Sequence, residues 1–391
     1  MSEVRALELG VIGEAFPQAD IERVLEETRR RGKRRRKLPA ELMVYYLIAL
    51  GLMASVGARE VLRRLIDGLR ETARFRGPLA SGAAITKARR RLGAEPLRKL
   101  YDESVKPIAK KTTQEAWYRG WLIVSMDGGT LACLDTAANV KRFGRPPSSR
   151  GQTAWPHLRF VALLENGTRV LFAAVVGAYH RAEQHLALEM VPRLREGMIC
   201  LADRGFYSYV LWEAARARGA DLLWRIQKLI ELPIVERLRD GSYLSHVHEY
   251  RNGHRKRGLT VVRVIPFVAI VGKQRTAYRL ITTILDPKRA PAAELARLYA
   301  SRWTIETTFA EMKVRMRGHH TVLRSQLPEL VEQDFYGLLL AHFGIRSIMH
   351  DTARQQHIAP SQLSFAHALA IIVDRLPQMF SFSPSGEAAL P

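Results

Sequence analysis

Apolar residues follow a helical period near both ends of this chain and strand-like patterns in between. Residues 38–111 read as all-helical. Leu38–Pro39 opens an uncharged stretch, Leu42–Ala58, and Val61–Leu69 keeps helical spacing. Residues 81–93 read as a capped helix, with Ser81 as N-cap and Gly93 just past the end. Its Ile85, Ala88 and Leu92 are expected to pack inward while Lys87, Arg89, Arg90 and Arg91 face out. From 113 to 229 the pattern changes. Trp121–Met126, His157–Leu164 and Thr168–Val176 read as strands, followed by helix His185–Leu194, strand Met198–Asp203, helix Tyr207–Arg218 and strand Asp221–Ile226. Residues 230–287 read as β-rich, with strands Leu244–Tyr250, Thr260–Phe267 and Tyr278–Leu285 and a short helix around Pro233–Leu238. Helices return at 294–317, Pro328–Gln356 and Leu363–Leu376, and the tail Ser381–Pro391 is expected to be disordered. The expected class is α/β. A mixed-sheet domain in two parts, 113–229 and 288–350, is interrupted by the β-rich insertion 230–287. A helical N-terminal domain, 1–112, precedes it, and a helical C-terminal region with a tail, 351–391, follows.

Segment 294–317, ELARLYASRWTIETTFAEMKVRMR, carries the most information. Pro291 stands ahead of it, Gly318 follows it, and no Pro or Gly interrupts it, so one continuous helix is expected. Leu298, Ile305, Phe309, Met312 and Met316 make an apolar stripe. Tyr299, Arg302, Glu306 and Lys313 fall within an arc of about 60° beside that stripe.

Composition narrows the classes. The chain has 391 residues, a formal net charge of +23 and two cysteines, Cys133 and Cys200. The charge calls for a polyanion as partner. Two cysteines exclude a disulfide framework or a zinc finger and suit a reducing cytoplasm. Leu42–Ala58 follows the basic run Arg29–Lys37 and mimics a membrane anchor. It is 17 residues long and contains Gly51, Ser55 and Gly57, so a buried helix is the expectation and no membrane partner is expected. The basic run, with Arg34, Arg35 and Arg36 at its heart, holds eight cations in nine residues and reads as a phosphate-contacting arm.

The spacing Tyr299-x2-Arg302-x3-Glu306-x6-Lys313 resembles the YREK signature of the insertion-sequence-four family of DDE transposases. That likeness implies two upstream Asp residues at strand ends. Asp127 follows Trp121–Met126, and Asp203 follows Met198–Ala202 and precedes Arg204-Gly205-Phe206. The resemblance runs from about Leu38 to Arg346 and beyond, and implies an RNase H-like catalytic domain with Asp127 and Asp203 on adjacent strands. It implies a transposase that binds inverted-repeat ends, cleaves them and joins the 3′ ends to a target, acting as a homodimer on double-stranded DNA in a bacterial cytoplasm, at the nucleoid. No small-molecule substrate is expected. Asp127, Asp203 and Glu306 are the expected catalytic and metal-binding residues, holding two Mg²⁺ ions, with Mn²⁺ as a substitute. Tyr299, Arg302 and Lys313 are the expected contacts to the transposon end. Lys87, Arg89, Arg90 and Arg91, on a helix read as a recognition helix, and Arg34, Arg35 and Arg36 are the expected contacts to the duplex.

Other residues compete for these roles. Asp135 is the second choice for the first carboxylate, Glu311 points about 140° away from Glu306, and Glu183 reads as a helix-start carboxylate. His319-His320 lacks partners at metal spacing. The insertion contains no Trp, so the stacking Trp with which some relatives form a DNA hairpin is missing, leaving Tyr243, Tyr250, Phe267 or Tyr278 as substitutes. A site-specific nuclease of the same fold and a non-catalytic DNA-binding repressor are the alternative functions.

Overall fold

The computed structural model describes residues 13, 15–32, 36–71, 79–148, 151–152, 155–251, 254–271, 274–318 and 322–379. The N-terminal elements are α1 (Gln18–Glu27), α2 (Ala40–Leu52), α3 (Ala58–Glu71), α4 (Gly82–Leu92) and α5 (Glu95–Ser104). Ser81 caps α4 by accepting from the Ala84 amide at 3.2 Å, and Gly93 ends it at φ 74°. The first part of the sheet domain holds β1 (Trp117–Tyr118), β2 (Trp121–Cys133), α6 (Ala137–Phe143), the two-residue strands β3 (Pro147–Ser148) and β4 (Gly151–Gln152), β5 (His157–Glu165) and β6 (Val170–Ala178). Next come α7 (Glu183–Met190), β7 (Met198–Ala202), α8 (Tyr209–Arg216) and β8 (Asp221–Arg225). The insertion contributes β9 (Glu236–Arg237), β10 (Tyr243–Arg251), β11 (His254–Val271) and β12 (Gln274–Thr282). The chain then runs through α9 (Ala292–Ala300), α10 (Thr304–Ala310), β13 (Val322–Leu323), α11 (Pro328–Gln355) and α12 (Phe365–Met379).

Strand β2 is the hub of the sheet, whose order is β6-β5-β2-β7-β8-β12-β11-β10-β9. It pairs antiparallel with β5 and parallel with β7, and β13 joins it in parallel at Val322↔Ala132. Its first six residues are buried, as a strand flanked and covered on both faces requires. Register places Met126 opposite Ala202, so Asp127 and Asp203 come next on neighbouring parallel strands. The insertion continues this sheet, because β12 pairs antiparallel with β8 at Leu280↔Arg225.

The apolar stretch that mimics an anchor is α2, and it is packed inside the protein. Gly51 and Gly337 let α2 and α11 touch backbone to backbone. A Cβ on Gly51 would meet the Gly337 carbonyl oxygen at 2.6 Å, and one on Gly337 would meet the Leu47 carbonyl oxygen at 2.6 Å. Among the described residues no helix is long and apolar enough to cross a membrane.

Three expectations need correction. The segment around Pro233–Leu238 is not helical. It forms the edge strand β9, held as the Val235 amide donates to the Leu244 carbonyl at 2.9 Å, so sheet-edge pairing overrides local helical preference. Segment 294–317 is not one uniform helix. A 3-10 turn, Ser301–Trp303, separates α9 from α10, and a π-helical segment, Glu311–Met316, follows α10. The π turn begins at Glu311, whose carboxylate is drawn into the core by Arg346 and His342 of α11. Arg89 does not face out, as described below. Arg34, Arg35, His319, His320 and the tail 381–391 lie outside the described residues.

Candidate active site

Asp127 lies on β2 and Glu306 in the first turn of α10, and one guanidinium joins them. Arg302 Nη1 donates to Asp127 Oδ2 at 3.1 Å and Nη2 donates to Glu306 Oε1 at 2.9 Å. Arg302 is only 5% exposed, and the 3-10 turn that carries it lies one turn before Glu306. Burial pushes the Asp127 carboxyl up to about 6. The Gly128 amide, donating at 2.8 Å, and Arg302 pull it back, while the charges of Glu306 and Glu183 push it further up. Asp127 is therefore a desolvated carboxylate whose hydrogen bond and cation offset only part of the cost of burial.

Asp203 stands just past the end of β7. Arg225 Nε lies 2.8 Å from its Oδ1, yet neither atom makes a well-formed hydrogen bond. Tyr299 fixes this strand end, because its hydroxyl donates to the Ala202 carbonyl at 3.3 Å. The ring is 7% exposed and packs against Phe267. Tyr299, an expected contact to the transposon end, is thus held in the core at the strand end that leads to Asp203. Burial also raises its phenol well above the usual range.

The two glycines after Asp127 make room for groups on either side. A Cβ on Gly128 would meet Glu183 Oε1 at 2.6 Å, and one on Gly129 would meet Lys313 Nζ at 2.8 Å. Lys313 reaches this point across the rings of Phe160 and Phe309, 5.4 Å and 5.6 Å from their centroids. Burial lowers its ammonium, and the charge of Asp127 offsets part of that. Glu183, expected to do no more than cap a helix, instead lies against the strand that bears Asp127 and pairs with Arg159 at 3.6 Å. Alternation along β5 was the signal that could have found Arg159, which sits opposite Thr130. Trp303 was also overlooked. It is 61% exposed, inside the signature itself, with the Arg302 guanidinium 5.0 Å from its ring centroid. Asp135, the second choice for the first carboxylate, pairs with Arg145 at 2.6 Å.

Comparison with known proteins assigns the chain. The family model "Transposase DDE domain" matches residues 109–343, more than half the chain, and "Insertion element 4 transposase N-terminal" matches residues 6–102. The chain belongs to the IS4 family of DDE transposases. It is 27% identical over 381 residues to "Transposase InsG for insertion sequence element IS4" of Escherichia coli (strain K12), covering 95% of this chain and 84% of that one. Its fold is similar to that of piggyBac transposase in a synaptic complex with hairpin DNA. The TM-score is 0.52 at 9% identity, covering 97% of this chain and 82% of the other. The mixed sheet with helices at both ends is the RNase H-like architecture of these enzymes.

A DDE transposase domain implies use of a divalent metal. The donors at hand are carboxylate oxygens, which suit a hard cation. Among the described residues no group of three His, Cys, Asp or Glu side chains is gathered as a cage for a single ion. Asp127, Asp203 and Glu306 would each supply part of an ion's shell, with water and phosphate completing it. The buried Asp203 Oδ1, which has no hydrogen bond, and the desolvated Asp127 carboxylate are the oxygens such ions would satisfy.

The cations expected on the N-terminal helices of the transposase divide. Lys87 and Arg90 are exposed on α4, and Arg36 is exposed after α1. Arg91 is half-buried and donates to the Leu38 carbonyl at 2.8 Å. Arg89 is 8% exposed and donates to Gln333 Oε1 at 3.0 Å, to the Leu330 carbonyl at 2.8 Å and to Asp334 at 2.7 Å. It pins α4 to α11, so the expected outward orientation is wrong for Arg89. Ile85 and Arg89 are four residues apart and share one helix face.

Proposed function

We propose that this transposase binds the inverted-repeat ends of an insertion sequence, cleaves them and joins the 3′ ends to target DNA, with Asp127, Asp203 and Glu306 as its catalytic carboxylates. The observation that carries the reading is Arg302 bridging Asp127 and Glu306, which come from distant parts of the chain. When bound, a pair of Mg²⁺ ions, or Mn²⁺ in their place, supplies activation of the attacking oxygen and charge stabilisation at the leaving one. Asp127 would contribute to both ions, Asp203 to one and Glu306 to the other. Arg302 aligns Asp127 with Glu306, and its planar fork suits a phosphate oxygen of the cleaved strand. Lys313, backed by Phe160 and Phe309, offers a point charge to the same strand. Trp303 offers an exposed ring on which an unpaired base can stack, beside the Tyr and Phe side chains of the Trp-free insertion. Lys87, Arg90 and Arg36 hold the flanking duplex through its phosphates.

We assign residues 1–112 to end binding and 113–350, with the insertion, to chemistry. Two ends must be cut and joined together, which calls for two copies of the chain in one complex. The test is single-turnover cleavage and strand transfer on end-containing oligonucleotides. The expected result is cleavage and joining by the wild type, and retained end binding without cleavage in Asp127→Ala, Asp203→Ala and Glu306→Ala. Cleavage without joining would make the protein a nuclease, and cleavage surviving in any of the three variants removes that residue from the site.

A further inference from the structure

Among the described residues, a buried cation with an unpartnered guanidinium nitrogen lies just past the end of the π-helical segment. Arg317 is 3% exposed and its Nη2 is fully buried without a hydrogen-bond partner. Burial pushes its guanidinium below the usual range. It lines a cavity of about 190 Å³ together with Leu47, Leu50 and Gly51 of α2, Arg324, and Asp334 of α11. Asp334 is the natural counter-ion, but its oxygens are committed. Oδ1 accepts from Arg89 Nη2 at 2.7 Å, and Oδ2 accepts from Ser325 Oγ at 2.6 Å. Arg89, Arg317 and Arg324 therefore share one carboxylate. A buried cation without a partner is strongly unfavourable, and a protein ordinarily removes it by pairing it.

We propose that this cavity is an anion site that takes a phosphate group, with Arg317 as its floor and Arg324 at its mouth. A guanidinium presents paired donors that match phosphate oxygens, and an enzyme that handles phosphodiesters meets this anion constantly. The apolar wall from α2 suits the carbon face of a sugar next to the phosphate. The position gives such a group a consequence. Arg317 ends the run that carries Glu306 and Lys313, and α2 belongs to the N-terminal helices. A bound phosphate would tie the end-binding part to the catalytic run. The phosphate can come from the backbone of bound DNA or from free phosphate, and the two sources are separable.

The test compares the full-length wild type with Arg317→Met, which keeps an unbranched side chain and removes the charge. Thermal unfolding is followed in sodium phosphate, sodium acetate and sodium chloride at equal ionic strength. Phosphate stabilises most proteins by exclusion, so the informative quantity is the saturable part of the response. The expected result is a saturable rise in Tm for the wild type in phosphate alone, and its loss in Arg317→Met, whose Tm without phosphate is equal or higher. Binding of end-containing duplex is measured over a salt series in parallel. A slope of log affinity against log salt lower by about one in Arg317→Met identifies a backbone phosphate as the occupant. A full slope together with the saturable response identifies free phosphate. Should Arg317→Met fail to fold, Arg324→Gln at the exposed mouth is expected to weaken the phosphate response about tenfold. Acetate matching phosphate overturns the assignment. So does the absence of both a saturable response and a slope change.

Discussion

Glu306 and Glu311 lie five residues apart on one helical run, and the protein treats them oppositely. Glu311 is 6% exposed and satisfied on every side. Its carboxylate pairs with the Arg346 guanidinium, with Arg169 at 3.1 Å and with His342 Nε2 at 3.2 Å. Burial alone would raise Glu311, but His342 and Arg346 overcome it and bring the group down to about 2. Glu306 has its side chain 41% exposed and shares one guanidinium with Asp127, which burial drives up to about 6. The first carboxylate is a completed ion cluster that fixes the helix on α11. The second belongs to a pair of carboxylates that share one hydrogen-bonded cation, Arg302. Such sharing is tolerated where something else is meant to bind, and the completed cluster is what holds the pair in place.

The largest expected effect falls on the satisfied member. Glu311→Ala leaves Arg346 and His342 buried without their acceptor, which costs about 3–5 kcal/mol. Urea unfolding should show the loss as a shift in midpoint. A change below about 1 kcal/mol would mean the cluster is not the anchor described here. Glu306→Ala should do the reverse. Its removal leaves the unfolding midpoint nearly unchanged, because half-exposed pairs contribute little to stability. Single-turnover cleavage should fall by more than about 100-fold, as expected when a metal ligand rather than its support is lost. A variant that unfolds early and still cleaves would exchange the two assignments.

Acidity separates the pair a second way. The folded Glu311 lies below its usual 4.5, so its stabilisation is complete above about pH 4.5 and fades as the pH falls through about 2. The folded Asp127 lies above its usual 3.8, so its contribution to stability is complete below that value and is lost as the pH rises through about 6. Between about pH 4.5 and 6 the chain should stay folded by circular dichroism while Asp127 carries a proton. Mn²⁺ affinity, followed by electron paramagnetic resonance, should then fall about tenfold per pH unit below 6. Metal affinity that is flat across this window would take Asp127 out of the ligand set.

Much of this contrast was legible in the sequence, because it rests on long-period patterns. The apolar run before Asp127 reads as a strand whatever surrounds it, and Met198–Ala202 reads as its partner. The helical wheel already turned Glu311 away from Glu306. Features set by tertiary pairing were not legible. Nothing in 294–317 announces a 3-10 turn or a π segment, since neither Pro nor Gly marks them and the π turn follows from partners on α11. Glu183 was read from its place at a helix start, and only the folded sheet sets it against Gly128. Tyr299 was assigned to DNA from its place in the signature, whereas burial under β7 depends on how α9 docks.

Arg89 and Arg90 repeat the same contrast on one helix at smaller scale. Both were expected to meet DNA. Their charge alone points both outward, but Arg89 stands four residues after the inward Ile85 and Arg90 does not. Arg89 now has three acceptors on α11, and Arg90 is exposed. Arg89→Gln should lower stability while leaving the salt dependence of end binding near its wild-type slope. Arg90→Gln should leave the unfolding midpoint within about 0.5 kcal/mol, as surface changes do. If Arg90 touches one phosphate, its loss should flatten the slope of log affinity against log salt by about 0.9, equally for end and unrelated duplexes. A fall confined to the end sequence would show instead that Arg90 reads bases. An unchanged slope in Arg90→Gln with a reduced one in Arg89→Gln would mean that α4 turns over when DNA binds, and that the contrast between the two arginines belongs to the DNA-free protein alone.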